Sequence, residues 1–373
     1  MTSVVVAGAI ANRPGHGGMA WVPVSWALGL RKLGFEVLLA EQIECADPAS
    51  AAWFEAVVER FGLSGSACLV HGDGPDTTGL PFEDLVARGE RASLLVNLSG
   101  HLTMRPVFDA VDLRLYVDLD PGYTQLWAEA GLSGARLDGH DRFATVGLNL
   151  GDRRCPLPTA GRSWIPTLPP VVLDRWPASG GVGTAFTTVT GWRNPLGTIE
   201  HDGRTYGSKA HSFRRLLGLP GRLDASFELA LEIDPADDSD REKLLSAGWR
   251  LVEPGAVAGD PFAFRDYLAG SLAELSVAQP LYAEAATGWF SDRTAHYLAA
   301  GRPAVVEDTG LGASLPVGEG LLTFGTLEEA EVACGAVIAE PERHQVAARA
   351  FAERHLDSDV VLEALMAKIG VAP

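Results

Sequence analysis

The chain has 373 residues and a formal net charge of −18, which argues against nucleic acid or an anionic membrane surface as a partner. Its four cysteines, Cys45, Cys68, Cys155 and Cys334, form no CxxC pair, a pattern typical of thiols in a reducing compartment. The length suits two α/β domains, and the apolar run at 4–10 is too short to span a bilayer, so we expect a soluble cytoplasmic protein.

The first elements read as a β–loop–α–β unit. A β-branched strand at 3–9 precedes a glycine-containing loop at 12–18, a helix at 19–33 and a second strand at 36–40. The loop lacks the spaced glycines of a dinucleotide fingerprint, so an NAD enzyme is disfavoured. Glu41, at the end of the second strand, could serve as a ribose-binding carboxylate. It follows the first strand by more than about thirty residues, which is late for that role.

Three further strands of the first half end in polar residues. The strands at 93–98, 113–117 and 143–148 are followed by Ser99-Gly100-His101, Asp118-Leu-Asp120 and Asn149. Ligands of open α/β sheets bind beyond the carboxyl ends of the strands, so these positions are candidate binding residues.

A change in composition follows and predicts a domain boundary. Residues 155–183 are rich in proline and glycine, and we place the boundary near Pro177–Gly183. The second half restarts with a strand at 185–189 and the loop Thr190–Arg193. A hairpin at 197–206 comes next, with Asp202-Gly203 as its turn.

The segment 288–310 carries most of the functional signal. A polar loop with Ser291, Asp292 and Arg293 enters an apolar helix at 295–300, which Gly301 caps. Pro303, a buried strand at 304–306 and the loop Asp308-Thr309-Gly310 follow. Backbone N–H groups at a helix N-terminus, beside an arginine, are suited to bind a diphosphate.

This order of loop, helix, A-x-G-x-P, strand and loop resembles the donor-binding segment of GT-B glycosyltransferases. The runs GLRKLGFEVLLAEQ and WIPTLPPVVLDRWP are similar to their opening helix–strand unit and their interdomain connection. The resemblance implies an α/β protein of the GT-B fold, with two facing Rossmann-like domains, parallel sheets and an interdomain cleft. It implies an acceptor-side domain at 1–178, a donor domain at 179–356, and a helix at 357–373 that crosses back.

The resemblance also implies the activity of a hexosyltransferase. The partners would be a nucleotide-diphosphate sugar and a small-molecule or natural-product acceptor, with no metal and no cofactor beyond the sugar nucleotide. A homodimer is left open. High Ala, Gly and Arg content suggests a GC-rich bacterial gene and specialised metabolism. Two alternatives stay open: an epimerase or phosphorylase of the same fold, and a binding protein without turnover.

The sequence departs from the family pattern at two positions. His296 stands where retaining GT-B enzymes usually have a Glu, and Gly288 where many inverting enzymes have a His. The chain therefore resembles a divergent branch, in which His296 itself is a candidate partner of the ribose hydroxyl. The predicted donor site comprises Gly191, Trp192, Arg193, Lys209, Trp289, Ser291, Asp292, Arg293, His296, Asp308, Thr309 and Gly310.

The candidate catalytic residues lie in the first half. His16, in a loop with Gly15, Gly17 and Gly18, is at the position where inverting GT-B enzymes place a general base, and its alternative is a solvated loop residue. His101 would hold the donor sugar, or else bond to local backbone. Asp118 and Asp120 are catalytic candidates whose alternative is a strand-end turn. Trp192 and Trp289 would stack on the donor or serve packing alone.

Overall fold

The protein is described by a computed structural model that covers residues 2–178, 180–193 and 195–373. In these ranges the first sheet contains β1 Ser3–Ala7, β2 Glu36–Ile43, β3 Ala67–His71, β4 Thr77–Gly79, β5 Ala92–Leu98, β6 Leu113–Asp118, β7 Arg142–Thr145 and β8 Trp164–Pro166. Their spatial order is β4-β3-β2-β1-β5-β6-β7-β8, and every neighbouring pair is parallel except β3 with β4.

The second sheet is formed by later residues. Within the described chain it contains β9 Ala185–Gly191, β12 Ser226–Glu232, β13 Arg250–Val252, β14 Ala273–Ser276, β15 Ala304–Glu307 and β16 Leu321–Phe324. A separate antiparallel hairpin joins β10 Ile199–His201 to β11 Arg204–Tyr206, with Asp202-Gly203 as the predicted turn. The order β13-β12-β9-β14-β15-β16 is parallel throughout.

Both sheets have the strand order of a Rossmann-like domain. The runs β3-β2-β1-β5-β6-β7 and β13-β12-β9-β14-β15-β16 each follow the order 3-2-1-4-5-6. The prediction of two Rossmann-like domains with parallel sheets is therefore confirmed. In such sheets the carboxyl ends of all parallel strands lie along one edge, which is where ligands bind.

Helices connect the strands. In the described part of the chain they are α1 Gly17–Lys32, α2 Pro48–Arg60, α3 Phe82–Gly89, α4 Arg105–Phe108, α5 Tyr123–Glu129, α6 Ala210–Arg215, α7 Asp238–Ser246, α8 Pro254–Ala258, α9 Pro261–Ala269, α10 Pro280–Glu284, α11 Asp292–Ala299, α12 Leu327–Ala339, α13 Pro341–His355 and α14 Ser358–Ile369. None of those helices combines the length and apolar character that crossing a bilayer requires.

The strand predicted at 143–148 is shorter than expected. It ends at Thr145: Val146 N still donates to Asp118 O of β6, but the residues that follow bond to the second domain instead of extending the sheet. Gly147 forms a β-bridge with Trp289, and Leu148 N donates to Gly288 O at 3.1 Å. These partners are far away in the sequence, so the local apolar pattern could not reveal them.

Helix α14 packs on the first domain. The side chains of Leu362 and Ser358 approach Gly29 of α1 closely enough that a Cβ there would clash, at 2.6 and 2.8 Å. Lys32 Nζ also lies 2.9 Å from a carboxylate oxygen of Asp359. The domain bounds themselves stay a prediction, and Met1, Ser179 and Asn194, which fall within them, lie outside the described residues.

Candidate active site at the domain contact

The carboxyl ends of strands from both sheets meet at the contact between the domains. Tyr282, on α10 of the second domain, donates its hydroxyl proton to Asp120 Oδ1 of the first domain at 2.8 Å. Asn149 Nδ2 donates to the carbonyl oxygens of Ala286 and Gly310, at 2.9 and 3.1 Å. The loops after β6 and β7 therefore face the loops after β14 and β15.

Lys209 is a cation without an ion-pair partner in the described ranges. Its Nζ donates to Thr190 Oγ1 at 3.1 Å, at the carboxyl end of β9. Burial lowers the pKa of Lys209 to about 7; the nearby charge of Arg293 lowers it further and that of Asp120 opposes the shift. A part-buried ammonium beside a guanidinium is stabilised by an incoming anion.

Arg293 is anchored in the second sheet. Its Nε donates to Glu274 Oε1 at 2.8 Å, Nη1 donates to Val189 O at 2.9 Å, and Nη2 bonds to the Ser276 hydroxyl. The Glu274 side chain is 0% exposed, so Arg293 provides its counter-charge. Arg293 therefore joins β9 to β14, a structural role that the sequence did not indicate.

Two carboxyl groups of this cluster titrate near neutral pH. Burial raises the pKa of Asp120 to about 6, while the hydrogen bond from Tyr282 opposes the shift. Burial, followed by repulsion from Asp120, raises the pKa of Asp292 to about 7. Groups with pKa values near the operating pH are suited to exchange protons with a substrate.

Asp118 has a different environment from Asp120. It is fully buried, and its two carboxylate oxygens accept four hydrogen bonds, from Asp120 N, Thr124 Oγ1, Gln125 Nε2 and Thr145 Oγ1. Those donors occupy the acceptor positions of the carboxylate. The geometry supports the predicted strand-end turn for Asp118 and leaves only Asp120 exposed to the domain contact.

The loop Asp308-Thr309-Gly310 is closed by its own hydrogen bonds. Asp308 Oδ1 accepts from Gly310 N at 2.8 Å and from Leu311 N at 3.2 Å, and Thr309 Oγ1 donates to Trp289 O. Asp308 N donates to Phe324 O at 2.8 Å, so the N–H groups of Asp308, Gly310 and Leu311 already have acceptors within the protein.

The cavity above this loop is also small. About 10 Å³ remains between the ends of β14 and β15, Trp289 and Ser291, which is roughly the space of one water. Ser291, at the N-cap of α11, makes no capping bond with its side chain. The half-buried Trp289 stacks on Tyr282, with ring centroids 4.6 Å apart.

Two predicted donor contacts belong instead to the core. Trp192 is 1% exposed and stacks on Phe213, with ring centroids 5.5 Å apart. His296 is 3% exposed and stacks on Trp176 at 4.5 Å, and burial lowers the pKa of His296 to about 3. Both side chains are packed against neighbours, so the structure does not support donor contacts for them.

Arg193 forms an ion pair with Asp237. Its Nε and Nη2 donate to the Asp237 carboxylate at 2.6 and 2.8 Å, and its side chain is 63% exposed. Gly191, the last residue of β9, pairs with Glu232 of β12. The ion pair to Asp237 competes with the diphosphate contact that we predicted for Arg193.

Glu41 fixes the loop after β1, a role that sequence reasoning missed. The buried carboxylate accepts hydrogen bonds from the backbone N–H groups of Ile10 and Ala11 at 2.7 Å and of Asn12 at 2.9 Å. Burial raises the pKa of Glu41 to about 7, and those three bonds oppose the shift. An acid that directly follows the apolar run Val37–Ala40 was the available signal.

The loop held by Glu41 leads to His16, which is exposed and precedes α1. A Cβ on Gly17 would lie 2.2 Å from the backbone carbon of Asp260, and one on Gly18 would lie 2.9 Å from the Phe264 ring. Glycine at 17 and 18 therefore lets α1 approach α9 of the second domain. The close approach of a substrate to this loop stays a prediction. Gly15, with a φ of +76°, has open space around it.

His101 follows β5 and is uncharged at physiological pH. Burial lowers the pKa of His101 to about 4, and the charge of Arg136 adds to the effect. Among residues 2–178, 180–193 and 195–373, no group of three or more His, Cys, Asp or Glu side chains is placed to hold a metal ion.

Solved structures match the whole chain, although no protein-family model and no curated protein matches its sequence. The Anabaena protein HepE, solved with UDP and glucose, is 11% identical with a TM-score of 0.61, and the match covers 99% of this chain and 100% of HepE. An α-glucosyltransferase solved with UDP is 10% identical with a TM-score of 0.62, and the match covers 99% of this chain and 100% of that one.

A third structure of the same fold is described as an epimerase and not as a glycosyltransferase. A putative UDP-N-acetylglucosamine 2-epimerase from Listeria monocytogenes is 12% identical with a TM-score of 0.54, over 98% of this chain and 95% of that chain. Identities this low establish the fold alone. The chain has the GT-B fold, two facing Rossmann-like domains with a cleft between them, in a sequence that diverges widely from these structures.

Proposed function

We propose that this protein is a hexosyltransferase that moves a sugar from a nucleoside-diphosphate donor to a small-molecule acceptor without a metal. The observation that carries the proposal is Lys209, which has no ion-pair partner among the described residues and lies beside Arg293, at the carboxyl edge of the second sheet and facing Asp120. In sugar transfer the acceptor oxygen bonds to the anomeric carbon while the bond from that carbon to the diphosphate breaks. Lys209 would neutralise the charge that develops on the leaving diphosphate.

The proton of the acceptor hydroxyl needs a base. His16 and Asp120 are the candidates in the first domain, because His16 is exposed beside the domain contact and Asp120 faces Lys209. In a retaining reaction the leaving phosphate takes this proton instead. The two routes differ in the configuration of the product.

The structural neighbours suggest the first donor to test. HepE and the α-glucosyltransferase were solved with UDP, so UDP-glucose is our first choice. The α-glucosyltransferase was also solved with a 13-mer DNA. A net charge of −18 disfavours a polyanion, so we propose a small natural product as the acceptor here.

The test is release of UDP from UDP-glucose with and without a panel of hydroxylated small molecules and a DNA oligomer. Release that depends on a small molecule supports the proposal. Release that depends only on DNA would overturn the acceptor class. Formation of an isomer of the donor sugar without any acceptor would identify an epimerase. Release of UDP that requires inorganic phosphate would identify a phosphorylase. Tight UDP binding with no turnover for any compound would indicate a binding protein.

Replacing Lys209 by methionine should weaken UDP binding about tenfold, because a charge-assisted hydrogen bond is lost. Calorimetry at pH 7 measures the change. Lys243→Met is the matched control, since Lys243 lies on α7 of the same domain and pairs with Asp240 at 3.4 Å. Equal affinities for Lys209→Met and the unmodified protein would remove Lys209 from the donor site.

The same site should make UDP affinity fall as pH rises from 7 to 9. Lys209, with a pKa of about 7 in the free protein, loses its proton over this range, and a bound diphosphate would raise that pKa. Asp292, with a pKa of about 7, gains negative charge over the same range, so both groups act in one direction. Titrations at pH 8 in buffers of different ionisation enthalpy should show proton uptake, and Lys209→Met should show less.

A further inference from the structure

A cavity of about 690 Å³ lies entirely within the first domain. It is bounded by residues 100–108, 128–140 and 160–162, which come from the segment after β5, the segment after α5 and the turn before β8. Such a volume accommodates a small organic molecule. None of the donor residues predicted from the sequence lines it.

Arginine side chains dominate the charge of this cavity. Arg105, Arg136 and Arg162 line it, against the acids Glu129 and Asp138. Arg136 is the least neutralised, since its Nη1 donates only to Gly100 O at 3.4 Å and it forms no ion pair within the described ranges. Its backbone is left-handed, with a φ of 50°, which places this side chain against Gly100. A positive group is thus held at the cavity wall on a chain whose net charge is −18.

The part of the wall formed by Leu102, Leu137 and His140 is fixed by hydrogen bonds. Asn97 Nδ2 donates to His140 Nε2 at 3.1 Å and to Leu102 O at 2.9 Å, while Asn97 Oδ1 accepts from Leu102 N at 3.0 Å. His140 Nδ1 then donates to Leu137 O at 3.2 Å. Burial lowers the pKa of His140 to about 4, so the imidazole stays neutral. The cavity is therefore preorganised, with an aromatic floor at Phe108 that contacts the His140 ring edge-to-face at 5.0 Å.

One end of the cavity, at Gly100, follows the carboxyl end of β5. Ser99 N donates to Val117 O at 2.8 Å, so the Gly100 wall is one strand away from the Asp118-Leu-Asp120 loop. The charge of Arg136 also lowers the pKa of His101, which places both residues in one electrostatic environment.

We propose that this cavity binds the acceptor and that the acceptor carries a phosphate or carboxylate group, which Arg136 and Arg162 contact. Guanidinium groups recognise both anions through paired N–H donors. This inference rests on the proposed function, because it names the acceptor class of the same reaction. Arg162 lies 3.7 Å from the highly exposed Asp138, a loose pair that an acceptor anion can replace.

Calorimetry with phenyl phosphate, benzoate and neutral benzyl alcohol tests the inference. We expect phenyl phosphate or benzoate to bind the unmodified protein and to bind Arg136→Gln at least tenfold more weakly. Benzyl alcohol should bind more weakly than either anion. The control is Arg142→Gln, whose exposed arginine does not line the cavity and should leave the affinity unchanged. The anion that binds more tightly identifies the group.

Binding of neither anion, or equal affinities for Arg136→Gln and the unmodified protein, would overturn the inference. If Arg136→Gln does not fold, as judged by circular dichroism, Arg162→Gln takes its place under the same criterion. UDP affinity, measured on the same samples, should not change in either variant. Turnover of UDP-glucose with neutral acceptors alone would also overturn this inference while leaving the proposed function intact. Anion binding without any turnover would contradict the proposed function.

Discussion

Arg293→Ala is expected to lower the free energy of unfolding by about 3–5 kcal/mol, because it leaves a buried carboxylate without its counter-charge. The Glu274 side chain is 0% exposed and Arg293 is its ion-pair partner. Denaturant unfolding of the variant and the unmodified protein measures the change. Arg241→Ala is the control, since Arg241 pairs with the largely exposed Asp238 across 3.6 Å and should contribute about 0–1 kcal/mol.

The double variant Arg293→Ala/Glu274→Gln separates stability from binding. Removing the carboxylate charge should restore most of the lost stability. Relative to Glu274→Gln alone, the double variant should bind UDP more weakly by more than about 1.5 kcal/mol if Arg293 also contacts the diphosphate. Equal UDP affinities would make Arg293 purely structural, and an unfolding free energy of Arg293→Ala within about 0.5 kcal/mol of the unmodified protein would contradict the ion-pair argument.

His16→Ala should reduce turnover by about a hundredfold if the enzyme inverts configuration, because the acceptor would lose its general base. UDP affinity should stay nearly unchanged, since the base acts on the acceptor. The measurements are the rate of UDP release and the anomeric configuration of the product. His211→Ala is the control, because His211 is an exposed residue that bonds locally to Ser208 O.

The anomeric configuration of the product determines whether the rate of His16→Ala identifies His16 as the general base. An inverted product with a large loss of rate assigns the base to His16. A retained product with near-normal turnover would dispose of that assignment, and the leaving phosphate would then accept the proton. An inverted product with near-normal turnover in His16→Ala would make Asp120, with a pKa of about 6, the base to examine by Asp120→Asn.

Features of the fold that depend on residues close together in the sequence could be predicted from the sequence alone. Buried β-branched runs predicted the parallel strands, and Asp202-Gly203 predicted the hairpin turn. Gly301 follows α11 with a φ of 72°, as expected for a residue that ends a helix. The cap of the unpredicted α2 was readable too, because Asp47 accepts from Ser50 N and Pro48 opens the helix.

The chemistry of the site was decided by contacts between distant residues. Asp120 meets Tyr282 and Glu41 meets Ile10 only after the chain has folded, and neither pair has a local sequence signal. The sequence predicts that His296 contacts the ligand, but its ring stacks on Trp176 in the core. This stacking forms only when the two domains pack together. Whether a polar side chain binds a ligand or another residue depends on what lies opposite it.

Local periodicity, turn residues and short motifs were enough to predict most of the strands, the two Rossmann-like domains and the resemblance to GT-B enzymes, although α2, β3 and β4 were not predicted. The tertiary structure binds Arg293 to Glu274 and leaves Lys209 without an ion-pair partner among the described residues. It also formed the arginine-lined cavity of the first domain from three separate segments. The physical reason is that burial and charge compensation are set by residues far apart in the chain, and they decide which polar groups remain available to a ligand.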